Sequence, residues 1–106
     1  MSRNIGHKYN AVRCEADSIK FASKLEKRYY EKLKLMVADE KLVMFLRQPR
    51  FDLGGGVTYA ADFLEFHTDG SCRVVDCKGM FTKEFIAKKK IVEDLYPIEV
   101  HIVTKV

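Results

Sequence analysis

The chain has 106 residues, 47% hydrophobic and 32% charged, which leaves room for one domain with one modest core and excludes both a disordered chain and multidomain machinery. Its net charge of +4 is unevenly spread: residues 1–50 hold twelve Lys or Arg against six Asp or Glu (+6), and residues 51–106 hold seven against nine (−2). That asymmetry favours a polyanionic partner, although any single lysine run is more often a solvated face.

No segment approaches the roughly 18 consecutive apolar residues of a spanning helix. Met1 to Arg13 lacks the apolar core of a signal peptide, so a cytoplasmic protein with no membrane partner is expected. Three cysteines, Cys14, Cys72 and Cys77, form no CxxC pair and are expected as free thiols. His7, His67 and His101 show no metal-ligand spacing.

Residues 1–17 are polar and basic and read as a flexible arm, with a single domain over 18–106. "SIKFA", 18–22, looks extended. Ser23-x-x-Glu26 is a capping box, and Leu25, Tyr29, Leu33 and Met36 recur at helical spacing, which predicts a helix over Lys24–Ala38. "KLVMFL" reads as a buried strand ended by Gln48-Pro49, and "DLGGGV" as a hinge or loop. Two further strands, about 57–67 and 71–78, flank the turn signal "TDG". Thr82 caps a second helix over Lys83–Leu95, ended by Tyr96-Pro97. "IEVHIVT" alternates as a last strand. After a crossover helix it can lie parallel to an earlier strand, giving a mixed α/β fold in the order α-β-β-β-α-β.

The chemistry sits in "YAADFLEFHTDGSCRVVDCKG". If Thr68, Asp69 and Gly70 form a three-residue loop with Gly70 left-handed, His67 pairs with Ser71 and Asp62 with Asp76, and Lys78 lies on the same face. Opposed carboxylates repel, the more so when buried, and a hard divalent cation such as magnesium is their natural occupant. Lys78 beside it can orient or deprotonate a water, or stabilise charge on a phosphate. The plainer reading is a surface Asp62–Lys78 ion pair with Asp76 ending a strand. The flanking Ala60, Ala61, Phe63, Val74 and Val75 argue for a strand interior, where charge needs a reason.

"AADF" followed by "VVDCKG" resembles the divided signature of PD-(D/E)XK nucleases, with Asp62 and Asp76 as the acids and Lys78 as the lysine. Ala61 stands where the nominal motif has proline, and Asp76 is a methylene shorter than the frequent glutamate. The succession "KYNA", "FASKLEKRYYEKLKLM", "LRQPRF", "YAADF", "VVDCKG", "FTKEF" is similar to a family of small phage and prophage proteins usually assigned to that class.

The resemblance implies a restriction-endonuclease-like fold and a metal-dependent endodeoxyribonuclease related to phage Holliday-junction resolving endonucleases. The expected cofactor is Mg2+, or Mn2+ in its place, held by Asp62, Asp76, the backbone carbonyl of Cys77 and Glu26, the acid of the first helix. A homodimer acting on branched or structured DNA in a bacterial host cytoplasm is also implied. Lysines of the second helix, Lys83, Lys88 and Lys89, are candidate phosphate contacts, with Arg28, Gln48 and Tyr30 as further nucleic-acid contacts. The alternative is a non-catalytic nucleic-acid-binding or partner-binding module that keeps the fold with a degenerate site.

Overall fold

Ser23 has extended backbone and accepts the Glu26 N–H on its hydroxyl at 3.1 Å, and from it helix α1 runs over Lys24–Ala38 as the capping box predicts. Thr82 does the same for Phe85 at 3.1 Å, starting α2, Lys83–Leu95. Both helices have the predicted bounds. The structure, a computed structural model, describes residues 14–106. The part of the predicted arm before Cys14 lies outside these residues. Its last part does not form an arm: Cys14–Ala16 is β1, paired antiparallel with β2, Ile19–Phe21. Asp17 and Ser18 between them both take positive φ, the backbone of a tight hairpin turn.

Four strands make the central sheet, in the order β3 (Leu42–Arg47), β6 (Phe63–His67), β7 (Cys72–Cys77), β8 (Val100–Val103). The first three are antiparallel, and β8, reached through α2, lies parallel to β7, giving the predicted mixed sheet. The β6–β7 register is the predicted one. Phe63 faces Val75, and the His67 N–H meets the Ser71 carbonyl at 2.8 Å. Gly70 takes φ +92° in the connecting loop, a conformation a side chain would strain.

Two expectations change. "DLGGGV" is not a hinge but the turn of a separate hairpin, β4 (Arg50–Gly54) with β5 (Val57–Ala60). The predicted strand 57–67 is two strands, because Ala61 and Asp62 break it. The Ala61 N–H turns to the Pro49 carbonyl (3.1 Å), and the Gln48 N–H bonds the Asp62 carbonyl (2.9 Å). Strand β3 is also less buried than its apolar run suggests. It is an edge strand, with only Leu42 fully buried and Val43, Met44 and Leu46 exposed.

The sheet has a core on each face. On one, α1 and the β1–β2 hairpin bury Phe21, Tyr29, Tyr30, Leu33, Phe63 and Val75. On the other, α2 and the β4–β5 hairpin bury Tyr59, Ala61, Val74, Phe85, Val92 and Val100. Tyr96 ties the second hairpin down, its hydroxyl donating to the Asp52 carbonyl at 2.7 Å. Among the described residues no helix is long and apolar enough to cross a membrane.

Phe63 is wholly buried and packs against Tyr29 and Phe45, with ring centroids 5.5 and 6.0 Å away. Phe63→Ala is expected to cost about 3–5 kcal/mol of stability, read from the midpoint of urea unfolding, and a loss below about 1 kcal/mol would contradict this packing.

Candidate active site

The interruption at Ala61-Asp62 is what builds the site. Leaving β6, the Asp62 N–H still reaches the Val75 carbonyl at 3.1 Å, while its carboxylate turns to accept the Cys77 N–H at 2.7 Å. The chain thus fixes Asp62 through its amide, its carbonyl and one carboxylate oxygen. Asp76, between Val75 and Cys77 on β7, is 1% exposed and accepts the hydroxyl of Tyr59 from β5. The Asp62 and Asp76 carboxyl groups are close enough to share a hydrogen bond when one is protonated. The juxtaposition expected from the loop length is therefore present.

Burial, then the Asp76 charge and then that of Glu26, push the Asp62 carboxyl up to about 8. Glu26, on the first turn of α1, is also buried and raised, chiefly by desolvation. Its Oε1 accepts the Ala22 N–H at 3.3 Å, and Oε2 faces the Arg47 guanidinium at 3.7 Å. Glu26 thus accepts a backbone N–H at the start of α1 and lies near enough to Asp62 and Asp76 for their charges to act on one another.

Lys78 follows β7, its N–H bonded to the Val103 carbonyl at 2.9 Å and its ammonium 4.8 Å from the centre of the Phe85 ring. With Glu26, Asp62 and Cys77 it lines an open cavity of about 700 Å³ whose wall includes Lys24, Arg28 and Lys105. Lys78 also borders a second recess, about 350 Å³, with Tyr59, Thr82 and Lys88. Of the candidate substrate contacts, Arg28 and Lys88 thus lie beside the site, Lys88 also paired with Glu84 at 3.1 Å. Lys83 is exposed at the start of α2. Gln48 has a left-handed backbone, φ 56°, and braces Asp62 through its amide, while its residue lines a smaller cleft with Glu26 and Arg47.

Two of the candidate contacts already have structural partners. Tyr30 is not free to stack on bases: it is buried against Phe21 (centroids 5.0 Å) with its hydroxyl on Asp17 at 2.8 Å. Lys89 is committed to Glu93 at 2.9 Å, whose carboxylate also accepts the Val100 N–H at 2.8 Å, so this lysine braces α2 against β8. Tyr59 and Arg47 are the residues that sequence reasoning missed. No spacing marks them, because they reach the acids across the fold from β5 and β3.

Among the described residues no three carboxylate, thiol or imidazole groups are set to ligate one ion together. The donor set still fits a hard cation, which takes one or two carboxylates and fills its shell with water and phosphate. Asp62 and Asp76 supply that pair. The Cys77 thiol packs in the α1 core and is raised by burial and the surrounding acids, so it stays protonated and offers no soft ligand.

A carboxyl raised on folding binds a proton that the unfolded chain has released, so this site lowers stability as pH rises from about 4 to about 8. Asp62→Asn keeps an acceptor for the Cys77 amide and removes the repulsion. It is expected to stabilise the metal-free protein at pH 8 by roughly 1–3 kcal/mol, less than the full shift would give because solvent partly screens the pair. At pH 4 the gain should vanish. Thermal unfolding at the two pH values measures this, and equal effects at both would contradict the buried-pair account.

No curated protein is significantly similar to the chain. Residues 6–106 match the family described as "Protein of unknown function (DUF1064)". Since that match spans nearly the whole sequence, the chain belongs to the DUF1064 family.

Proposed function

We propose that the chain is a magnesium-dependent endodeoxyribonuclease of the PD-(D/E)XK class, cutting branched or structured DNA in the manner of Holliday-junction resolving enzymes. The observation that carries this reading is that the Asp62 and Asp76 carboxyl groups lie together at the end of β7, with Lys78 on the wall of the cavity that Asp62 lines. The order of elements supports it: α1, three antiparallel sheet strands, α2, then a parallel fourth, as a restriction-endonuclease-like core requires.

Asp62 and Asp76 would hold the magnesium, with the Cys77 carbonyl, and when bound it would offset the negative charge that builds on the phosphate as the ester bond breaks. The protein's part is positional and protonic. The Cys77 amide and Tyr59 hydroxyl each hold one carboxylate oxygen, which limits how the acids can turn. Lys78, its ammonium on the face of Phe85, can donate to a phosphate oxygen or align the attacking water. Arg28 and Lys105 on the cavity wall and Lys88 in the adjoining recess supply cations for the flanking backbone phosphates. This activity would serve phage recombination or replication in a bacterial cytoplasm, with a homodimer placing one site on each of two strands.

One observation favours the alternative, a nucleic-acid-binding or partner-binding module without chemistry. Both Glu26 oxygens and one of Asp76 are already engaged by protein donors.

The deciding experiment is cleavage of a labelled four-way junction, beside matching duplex and single strand, with magnesium or EDTA. The wild-type chain is expected to cut the junction only with magnesium, and Asp76→Asn, which leaves Tyr59 an acceptor, to cut nothing. Lys78→Ala should lose about 10²–10⁴-fold in rate. Binding without cutting in any divalent metal would transfer the protein to the non-catalytic reading. Cleavage by a pure Asp76→Asn preparation would refute the site.

A further inference from the structure

Arg47 is the last residue of β3, and its guanidinium lies 4.9 Å from the centre of the Phe21 ring. Its Nε is sealed from solvent and has no acceptor. An unpaired buried donor is rare, and rarer on a charged group, because the lost hydration is not replaced. The one acid it touches, Glu26, stands 3.7 Å from Nη2, a long and single-pronged contact. A guanidinium is built for two parallel hydrogen bonds to a carboxylate or phosphate, so this residue holds a poor partner in a poor geometry.

Glu26 has Oε1 on the Ala22 amide and Oε2 toward Arg47, and among the described residues it is not grouped with Asp62 and Asp76 to hold one ion, although the acids are near enough for their charges to act on one another. A cleft of about 250 Å³ opens at this point, lined by Lys20, Gln48 and Arg47 together with Glu26 and Asp62. Two cations and an amide beside two acids form a place where an anion can displace a carboxylate from the guanidinium.

We propose that Arg47 is a latch: it holds Glu26 away from Asp62 and Asp76 until a nucleic-acid backbone phosphate enters this cleft, takes the guanidinium and releases Glu26 to the acid pair. The proposal rests on the nuclease reading of the same site. A phosphate offers the fork two oxygens and gives the orphaned Nε an acceptor, so the exchange replaces one weak contact by two strong ones. Before substrate arrives, the latch keeps a third carboxylate from crowding two that already repel. Afterwards it completes the site only where a phosphate lies. Arg47 is then a positioning residue acting through Glu26.

The test is calorimetric titration of Mg2+ into the wild-type chain, Arg47→Gln, Glu26→Gln and the double variant, without nucleic acid. Thermal unfolding checks that each is folded, and Arg47→Met, which keeps an apolar stem over Phe21, replaces the glutamine variant if that fails to fold. Glu26→Gln alone should change affinity less than about twofold, Arg47→Gln should tighten it about tenfold, and the double variant should lose that gain. A gain that survives without the Glu26 carboxylate is plain removal of a positive charge and overturns the latch, as does no gain at all.

A labelled single-stranded oligonucleotide in EDTA probes the phosphate side. It should bind Arg47→Gln about tenfold more weakly than wild type, and equal binding by the two also overturns the proposal. Failure of every variant to bind magnesium refutes the metal site itself, and the latch with it, a pattern distinct from either failure of the latch alone.

Discussion

Asp62 is fixed by hydrogen bonds at three of its own groups, and the site depends on that fixation. Its amide serves the sheet through Val75, its carbonyl serves the β3–β4 connection through Gln48, and its carboxylate is held by the Cys77 amide. Moving any one of these elements moves the carboxylate against Asp76. The strand break at Ala61 is therefore not a defect in the sheet. In a continuous strand the Asp62 side chain would be free to turn, whereas the break commits one carboxylate oxygen to the Cys77 amide.

Two faces of the fold meet at this point. Val75 and Cys77 pack with α1, Val74 with α2, and Asp76 is carried between them at the far end of the same strand. From the α1 side comes Glu26, raised by burial and restrained by Arg47. From the α2 side come Tyr59 and Phe85, the first binding Asp76 and the second carrying Lys78 on its ring. The site is thus a junction of two cores, and its electrostatics are set by what gathers there: Glu26 and Asp62, whose burial favours their neutral form, and a lysine steadied by an aromatic face.

Much of this was legible in the sequence because it is local. Capping residues Ser23 and Thr82 mark both helices, and the "TDG" loop sets the register that opposes Asp62 and Asp76. The errors fell where neighbours in space decide. Asp17-Ser18 turns a presumed arm into a hairpin because Phe21 buries its end in the α1 core. "DLGGGV" closes a hairpin because three successive glycines take positive φ. Tyr30 reads as free on a basic helix, yet Phe21 and Phe45 cover its ring. Lys89 looks like one of a lysine run, and only the position of β8 gives Glu93, and hence Lys89, a structural task. Tyr59 and Arg47 carry no motif, since a hydroxyl or guanidinium that orients a carboxylate can come from any element close by.

The loop of Gly70 has a consequence for the order in which the parts assemble. Closing β6 on β7 needs only the short connection 68–70, so the loss of chain entropy is small and the two acids meet as soon as that hairpin zips. Residues 104–106, which follow β8, form part of the cavity wall, and β8 reaches β7 only after the whole of α2 has crossed the sheet. The repulsion is thus fixed by the most local contact in the sheet and the enclosure by the most distant one. A chain emerging from N-terminus to C-terminus brings its acids together while water still screens them on the β8 side, and that side is closed when β8 docks.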